Sequence, residues 1–355
     1  MMSSTEFRKR LDTRVLRTVP ELKEICWEWR DLFQRSGATA FQSPDWLLPW
    51  IQIFSPEKIA AIEVRSSSHL VGLAPLLIYR RDSERVLAFM GGGVSDYLDL
   101  LADPAFETQV VSEIVSAMLA LQDDWAVLDL TDIPGHSSLL SFSSWKDQVN
   151  EHDWCSGLSL PDTSEELLHL FSKRQRANLR NARSRLERAG GGQVEVATSE
   201  TVSEFLDDLF RLHGDRWSQQ GQPGVLDNSR VQSFHKTCAP RLLESRVLHL
   251  CRLRLKDRTL AVIYSLNSNH TAYCYLQGFD PEFSSLSPGT YLMFSAISEA
   301  LRQGMKDFDF LRGQEPYKQH WRPQSKPTYR ISLCREQLSQ IHAAKATPPL
   351  ALPAA

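Results

Sequence analysis

Between Leu248 and Trp321 the spacing of apolar residues changes period once, and the change separates strands from a helix. Leu248–Leu255 alternates apolar and polar residues, the period-two mark of a half-buried strand. A polar break at Lys256-Asp257-Arg258 leads into a second strand over 259–266, so the pair is predicted to be a hairpin. Thr271–Phe279, rich in Tyr and Phe, is a third strand. After Ser287, a candidate N-cap followed by Pro288 in the first turn, Leu292, Ile297, Ala300 and Leu301 recur at helical spacing as far as Gly304. A short strand over 307–311 then runs into the polar, aromatic segment 312–318.

The first half repeats this order. Leu22, Ile25, Trp29, Leu32 and Phe33 give 21–33 a helical stripe, and 41–46 reads as a second helix start with Ser43 capping and Pro44 in the first turn. Strands are predicted over 59–65, 71–79 and 85–90, the last running into Gly91-Gly92-Gly93; 97–101 is a candidate fourth. A helix over 106–121 and a strand over 125–130 close the unit. Strand, strand, strand, helix, strand thus occurs twice with little residue identity, the signature of a duplicated domain. The join falls at 153–163, where Gly157, Pro161 and Asp162 interrupt the pattern. Domains over 1–155 and 156–340 are expected, with a Pro- and Ala-rich tail at 341–355 that is predicted to be disordered. Helices over 164–189, 202–217 and 231–243 lead into the central stretch.

Composition refines this picture at a few points. A chain of 355 residues can bury two cores, and its 42% hydrophobic and 23% charged content is that of a globular protein. A net charge of −3 argues against wholesale nucleic-acid binding. The six cysteines are scattered with no C-x-x-C pair, which points to free thiols in a reducing compartment. No apolar h-region follows the N-terminus and no run approaches the roughly 18 apolar residues of a membrane span, so a cytoplasmic protein without membrane insertion is expected. Metal-ligand spacing and G-x-S-x-G are both missing, so no metal site is expected. The strongest charge feature is 173–185, where Lys173, Arg176, Arg180 and Arg183 share one helical face. It is either a solvated face or a contact for a phosphate-rich ligand.

Six segments in this order resemble the GNAT acetyltransferase fold, and within it the tandem CelD-like branch of cellulose-biosynthesis proteins, with a more distant similarity to Fem-type aminoacyltransferases. They are FQSPDW at 41–46, VGLAPL at 71–76, GVSDYLDLL at 93–101, KRQRANLRNARSR at 173–185, GFDPEFSSLSPGT at 278–290 and FDFLRGQEPYK at 308–318. The resemblance implies an α/β protein of two tandem GNAT-like (acyl-CoA N-acyltransferase) domains, each a mixed, mostly antiparallel sheet flanked by helices, with a cleft between them. It also implies transfer of an acyl group from acetyl-CoA or another acyl-CoA to an amine or hydroxyl. The acceptor class it suggests is a polysaccharide or cell-envelope precursor, a small molecule or saccharide. The chain departs from the family at the loop that presents amides to the donor pyrophosphate. Phe283 to Gly289 holds one glycine and no leading Arg or Gln, and Pro288 removes an N–H.

On this reading the donor is held at Gln277, Ser287, Gly289 and Thr290, with Arg176 and Arg180 drawing its phosphates. Asp309 either takes the proton of the attacking group or pairs with Arg312 at a strand end. Glu315 is the second candidate base and Tyr317 the candidate acid for the departing thiolate, while Arg312 and Lys318 are candidates to hold an anionic substrate. Asp96 and Tyr97 either line the cleft or shape a turn, and Trp217 either stacks on a sugar or nucleotide or belongs to the core. Two other functions fit the same pattern: a Fem-like aminoacyltransferase using aminoacyl-tRNA, and a non-catalytic subunit of a polysaccharide-synthesis complex.

Overall fold

The computed structural model describes residues 10–219, 224–334 and 337; the side chains of residues 143, 144, 146 and 216–219 fall outside that description, as do the Gly/Pro loop at 220–223 and the tail at 341–355. The chain forms two units, one from 1–44, 55–153 and 327–355, the other from 45–54 and 154–326. Neither is one contiguous run of sequence.

The first unit begins with a strand, β1 (Leu11–Leu16), whose polar sequence hides it. Two helices follow, α1 (Val19–Glu24) and α2 (Cys26–Arg35), where the apolar stripe predicts one. Thr18 and Glu21 close a capping box on α1, and Ile25 leaves helical geometry (φ −88, ψ 4), so the stripe is cut there. The next helix, α3 (Pro44–Phe54), belongs from residue 45 onward to the second unit. Ser43 does not cap it: the Ser43 Oγ is buried without a partner among the described residues.

Strands β2 (Lys58–Ile59), β3 (Ala61–Ser66), β4 (His69–Ala74), β5 (Leu76–Arg81) and β6 (Glu84–Phe89) come next. The run 71–79, predicted as one strand, is divided at Pro75. Proline has no N–H for a ladder, and β4 and β5 on either side of it enter different sheets. One sheet runs β1-β3-β4 and ends on β7 (Leu101–Ala102), which is all of the 97–101 candidate that becomes strand. The other runs β2-β5-β6 and continues, in parallel pairing, to β8 (Val127–Pro134). Between them in sequence, α4 (Glu107–Ala120) buries Val110, Ile114 and Met118 at helical spacing. It packs so closely on β4 that a Cβ at Gly72 would stand 2.3 Å from Val110 Cγ1.

The second unit takes up the chain within β9 (Val149–Ser159). Helices α5 (Ser164–Leu170) and α6 (Lys173–Arg188) replace the single helix predicted over 164–189. The break lies at Phe171, which is extended, and Ser172, whose Oγ caps α6 by accepting from the Gln175 N–H at 3.1 Å. Then come β10 (Gln193–Val196), α7 (Val202–Gln219), α8 (Ser229–Glu244), β11 (Leu248–Leu255), β12 (Arg258–Ser268), β13 (Thr271–Phe279), α9 (Pro288–Arg302), β14 (Asp307–Arg312), α10 (Pro316–Gln319) and β15 (Gln324–Cys334). The sheet order is β10-β11-β12-β13-β14-β9, antiparallel except where β13 and β14 run side by side in the same direction. One face carries α6 and α9 over a core containing Leu253, Ile263, Ile297 and Phe308. On β13, Gly278 admits α7: a Cβ there would meet the His213 backbone N at 2.8 Å. The last strand crosses between units, and its residues Thr328 to Cys334 pair antiparallel with Pro134 to Val127 of β8. Burial raises the thiols of Cys238, Cys251 and Cys274 to about 12, so these three stay protonated and inert.

Candidate active site

The parallel pair β13 and β14 is in register only from Thr271 opposite Asp307 to Tyr273 opposite Asp309. Past that point the two strands part. On β14 the departure coincides with a bulge against β9 between Asp309 and Arg312, and Leu311 within it has a left-handed φ of +60°. A cavity of about 330 Å³ opens where the strands separate. Gln277 and Phe279 of β13 form one wall, and Gln175 and Asn178 of α6 form another. The first residues of α9 face it, and Tyr317, His320 and Trp321 close the side beyond β14.

At the start of α9, Ser287 occupies the N-cap position in the left-handed region (φ 54, ψ 49) and makes no side-chain cap. Its hydroxyl instead accepts from Arg185 Nη2 of α6 at 2.8 Å. Ser287 is thus the N-cap residue, as its place before Pro288 predicts, but its hydroxyl serves Arg185 and not the helix amides. Gly289 and Thr290 are the first amides after Pro288, and a first helical turn offers such N–H groups no carbonyl four residues back. They line the cavity, and the helix dipole adds positive potential at that end. Arg185 brings a full positive charge to the same place, from a different element than the loop that lacks one.

The sequence candidates separate into groups. Gln277, Ser287, Gly289, Thr290 and Tyr317 line one cavity together. Arg176 and Arg180 line a different one, described below. Asp309 is buried on β14, where its Oδ1 accepts the Leu311 N–H at 2.7 Å and so holds the left-handed residue in place. Lys318 is only 2% exposed: its Nζ donates to the carbonyls of Leu311, Arg312 and Gly313 and pairs with Glu315 at 2.9 Å. Lys318 and Glu315 thus clamp the turn after β14, and that turn aims Tyr317 into the cavity. Arg312 ends β14, opposite Cys155.

In the first unit, Tyr97 is buried and its carbonyl accepts from Gln42 Nε2 at 2.8 Å, with Asp96 half-buried beside it. The Trp217 side chain lies outside the described residues. Gln175, Asn178, His320 and Trp321 are among the cavity residues that the sequence does not single out as site residues. Gln175 and Asn178 sit three apart on the same α6 that carries the arginines, and the run of charge masks them.

Residues 173–319 match the acetyltransferase (GNAT) domain family. This chain carries a GNAT-type acyltransferase domain. The likeness in fold extends over both units, for the chain superimposes on the crystal structure of FemX with a TM-score of 0.64, at 12% identity, over 93% of this chain and 99% of that one. The C-terminal domain of a putative lysylphosphatidylglycerol synthetase from Agrobacterium fabrum gives a TM-score of 0.56 at 14% identity, covering 91% and 96%. The L-PGS structure from Bacillus licheniformis gives 0.55 at 13%, covering 89% and 96%. Among curated proteins compared by sequence, none matches. The GNAT domain spans the basic helix, the parted strands and the α9 terminus, so all of the cavity except Trp321 and His320 falls inside it. Among the described residues no helix is long and apolar enough to cross a membrane, and no cluster of His, Cys, Asp or Glu suits a metal ion.

Proposed function

We propose that the chain transfers an acyl group from acetyl-CoA or a related acyl-CoA to an amine or hydroxyl acceptor. The observation that carries this reading is the cavity between β13 and β14 with the amides of Gly289 and Thr290 at its mouth. A diphosphate suits that helix end, because the free N–H groups and the dipole favour an anion and Arg185 supplies a charge within the same turn. The donor's acyl end then reaches toward Tyr317 and His320. Holding both substrates there turns a bimolecular step into a positioned one.

In the proposed step the acceptor nitrogen or oxygen attacks the thioester carbonyl and yields its proton to the imidazole of His320, which lines the same cavity. The carbon–sulfur bond breaks, and the departing thiolate takes the Tyr317 phenolic proton. Glu315 supports the site as a positioning residue through Lys318, while Asp309 holds the backbone at Leu311 and takes no part in the step. A polysaccharide or cell-envelope precursor, as in the CelD-like branch, is the acceptor class we favour for a cytoplasmic enzyme of this kind.

Titration of the full chain with acetyl-CoA and with coenzyme A, followed by melting temperature, tests the donor. A ligand that binds the native state raises the melting temperature with concentration. Tyr317→Phe is expected to lower kcat by about 10²-fold or more while leaving that shift in place. No shift at millimolar acetyl-CoA would end this reading. The likeness to FemX and the basic face of α6 favour one alternative, a Fem-like enzyme using aminoacyl-tRNA with the basic helix as its contact. A salt-sensitive gel shift with tRNA in the absence of any coenzyme A effect is the result that would select it.

A further inference from the structure

A second and larger cavity, about 630 Å³, lies on the other flank of α6 and α9 and shares no lining residue with the first. Strand β10 forms its outer edge. Val194 and Val196 of that strand pair opposite Leu253 and Cys251 of β11, so they point to the sheet face that carries α6 and α9. There they are left uncovered, 41% and 50% exposed, and Leu168 at the end of α5 is 40% exposed beside them. With Leu179, Tyr291 and Phe294 they make an apolar trough of a size that holds a small ligand.

The rim of the trough is cationic. Arg176, Arg180 and Arg183 stand along the α6 side at helical spacing, and Arg302 stands on the α9 side. Two carboxylates answer these four guanidiniums: Glu187 pairs with Arg183 at 2.8 Å, and Glu299 pairs with Arg302. Arg176 donates only to the Leu168 carbonyl, at a long 3.4 Å, and Arg180 has no partner among the described residues. An excess of two positive charges therefore overhangs an aliphatic floor. A polar ligand leaves that floor unused, and an uncharged hydrocarbon leaves the arginines unused.

We propose that this trough binds a single apolar chain carrying an anionic head group, the chain along Val194, Val196 and Phe294 and the head under Arg176 and Arg180. The site is separate from the acyl-donor cavity, so it stands whether or not the donor assignment holds. Its floor supplies burial of apolar area, and its rim supplies charge-assisted hydrogen bonds that fix the orientation.

Calorimetry on the full chain with dodecyl phosphate, kept below its micellar concentration, tests the proposal. One saturable site per chain is expected. Inorganic phosphate should give no measurable heat of binding, and the uncharged dodecyl maltoside should bind at least about tenfold more weakly. Arg176→Ala combined with Arg180→Ala removes the two guanidiniums over the head group and leaves Arg183 and Arg302 each paired with its carboxylate, and should remove the preference for the phosphate while leaving the maltoside unchanged. Ser298→Trp, which places an indole in the trough, should abolish both; the circular dichroism spectrum of each variant confirms that it is folded. Acetyl-CoA titrations should be unaltered by either variant. Equal affinity for the charged and uncharged amphiphiles, loss of dodecyl phosphate binding to competing acetyl-CoA, or indifference to Ser298→Trp would each overturn the assignment. So would a dimer that Ser298→Trp converts to monomer, for the trough would then be filled by a second copy.

Discussion

Asp309 has the look of a catalytic carboxylate in the sequence, flanked by two phenylalanines on a strand beside the expected cleft. In the fold it serves the backbone, since its Oδ1 accepts from the amide of Leu311, a residue at φ +60° that is 1% exposed. Asp309→Ala leaves that buried N–H without its acceptor and should cost about 1–3 kcal/mol. Urea unfolding would read the loss, and kcat per folded molecule should stay within about twofold. A collapse of kcat at unchanged stability would return Asp309 to the chemistry. Asp99 makes the opposite case, a carboxyl whose environment does change its chemistry. It accepts from Ser137 Oγ and the Leu100 N–H, both at 2.8 Å, yet burial outweighs these bonds and raises it to about 7. Its folded pKa lies above the unfolded value of about 3.9. Between those two pH values the native state binds the extra proton, so stability falls as pH rises through that window and levels off above it. Asp99→Asn should flatten this decline, which denaturant midpoints taken at intervals from about pH 4 to 8 would show.

At the scale of elements, one side chain ties three together. Arg252 of β11 is 3% exposed and pairs with Glu195 of β10 at 2.9 Å and with Glu204 and Asp208 of α7 at 2.6 and 3.0 Å, above the ring of Phe205. Removing it takes a partner from the part-buried Asp208 and Glu195, while Glu204 stays mostly solvated, so Arg252→Ala should cost about 1–3 kcal/mol. A fall in the urea midpoint with unchanged slope checks this. The strands and helices that were legible beforehand are those with a strong period. β11, β13 and α9 begin and end where the alternation and the Pro288 and Gly304 punctuation put them. The missed elements lack that contrast. β1 reads LDTRVL and β10 reads QVEV, short edge strands whose partners, not their own apolar content, hold them in place. Breaks inside helices went unseen for a related reason. Ser172 caps α6 in the middle of a continuous stripe, and a cap is read only from geometry. Likewise the donor cavity was partly legible, because a proline-started helix after a strand is local information. Arg185 and the Lys318 clamp were not, since each depends on which elements the fold brings side by side.

For the molecule as a whole, the path of the chain matters more than any contact. Helix α3 is spelled in the first half of the sequence and packs in the second unit, where Trp46 meets Phe234 edge-on at 4.8 Å and Tyr275 at 5.3 Å. The end of β15 does the reverse: Arg330 reaches Asp129 of β8 at 2.6 and 2.9 Å, and Arg81 completes the fork. A chain stopped after Lys326 should therefore damage the distant unit and spare the near one. Hydrogen exchange is expected to show lost protection in β6 and β8 with β11 to β13 retained; uniform loss would count against this reading. On the ribosome the same arrangement sets an order of events. The first unit waits, one strand short, while the second is spelled out, and only β15 lets it close. A nascent chain thus exposes the open edge of β8 until β15 has emerged, the interval in which an unpaired strand is most prone to wrong partners.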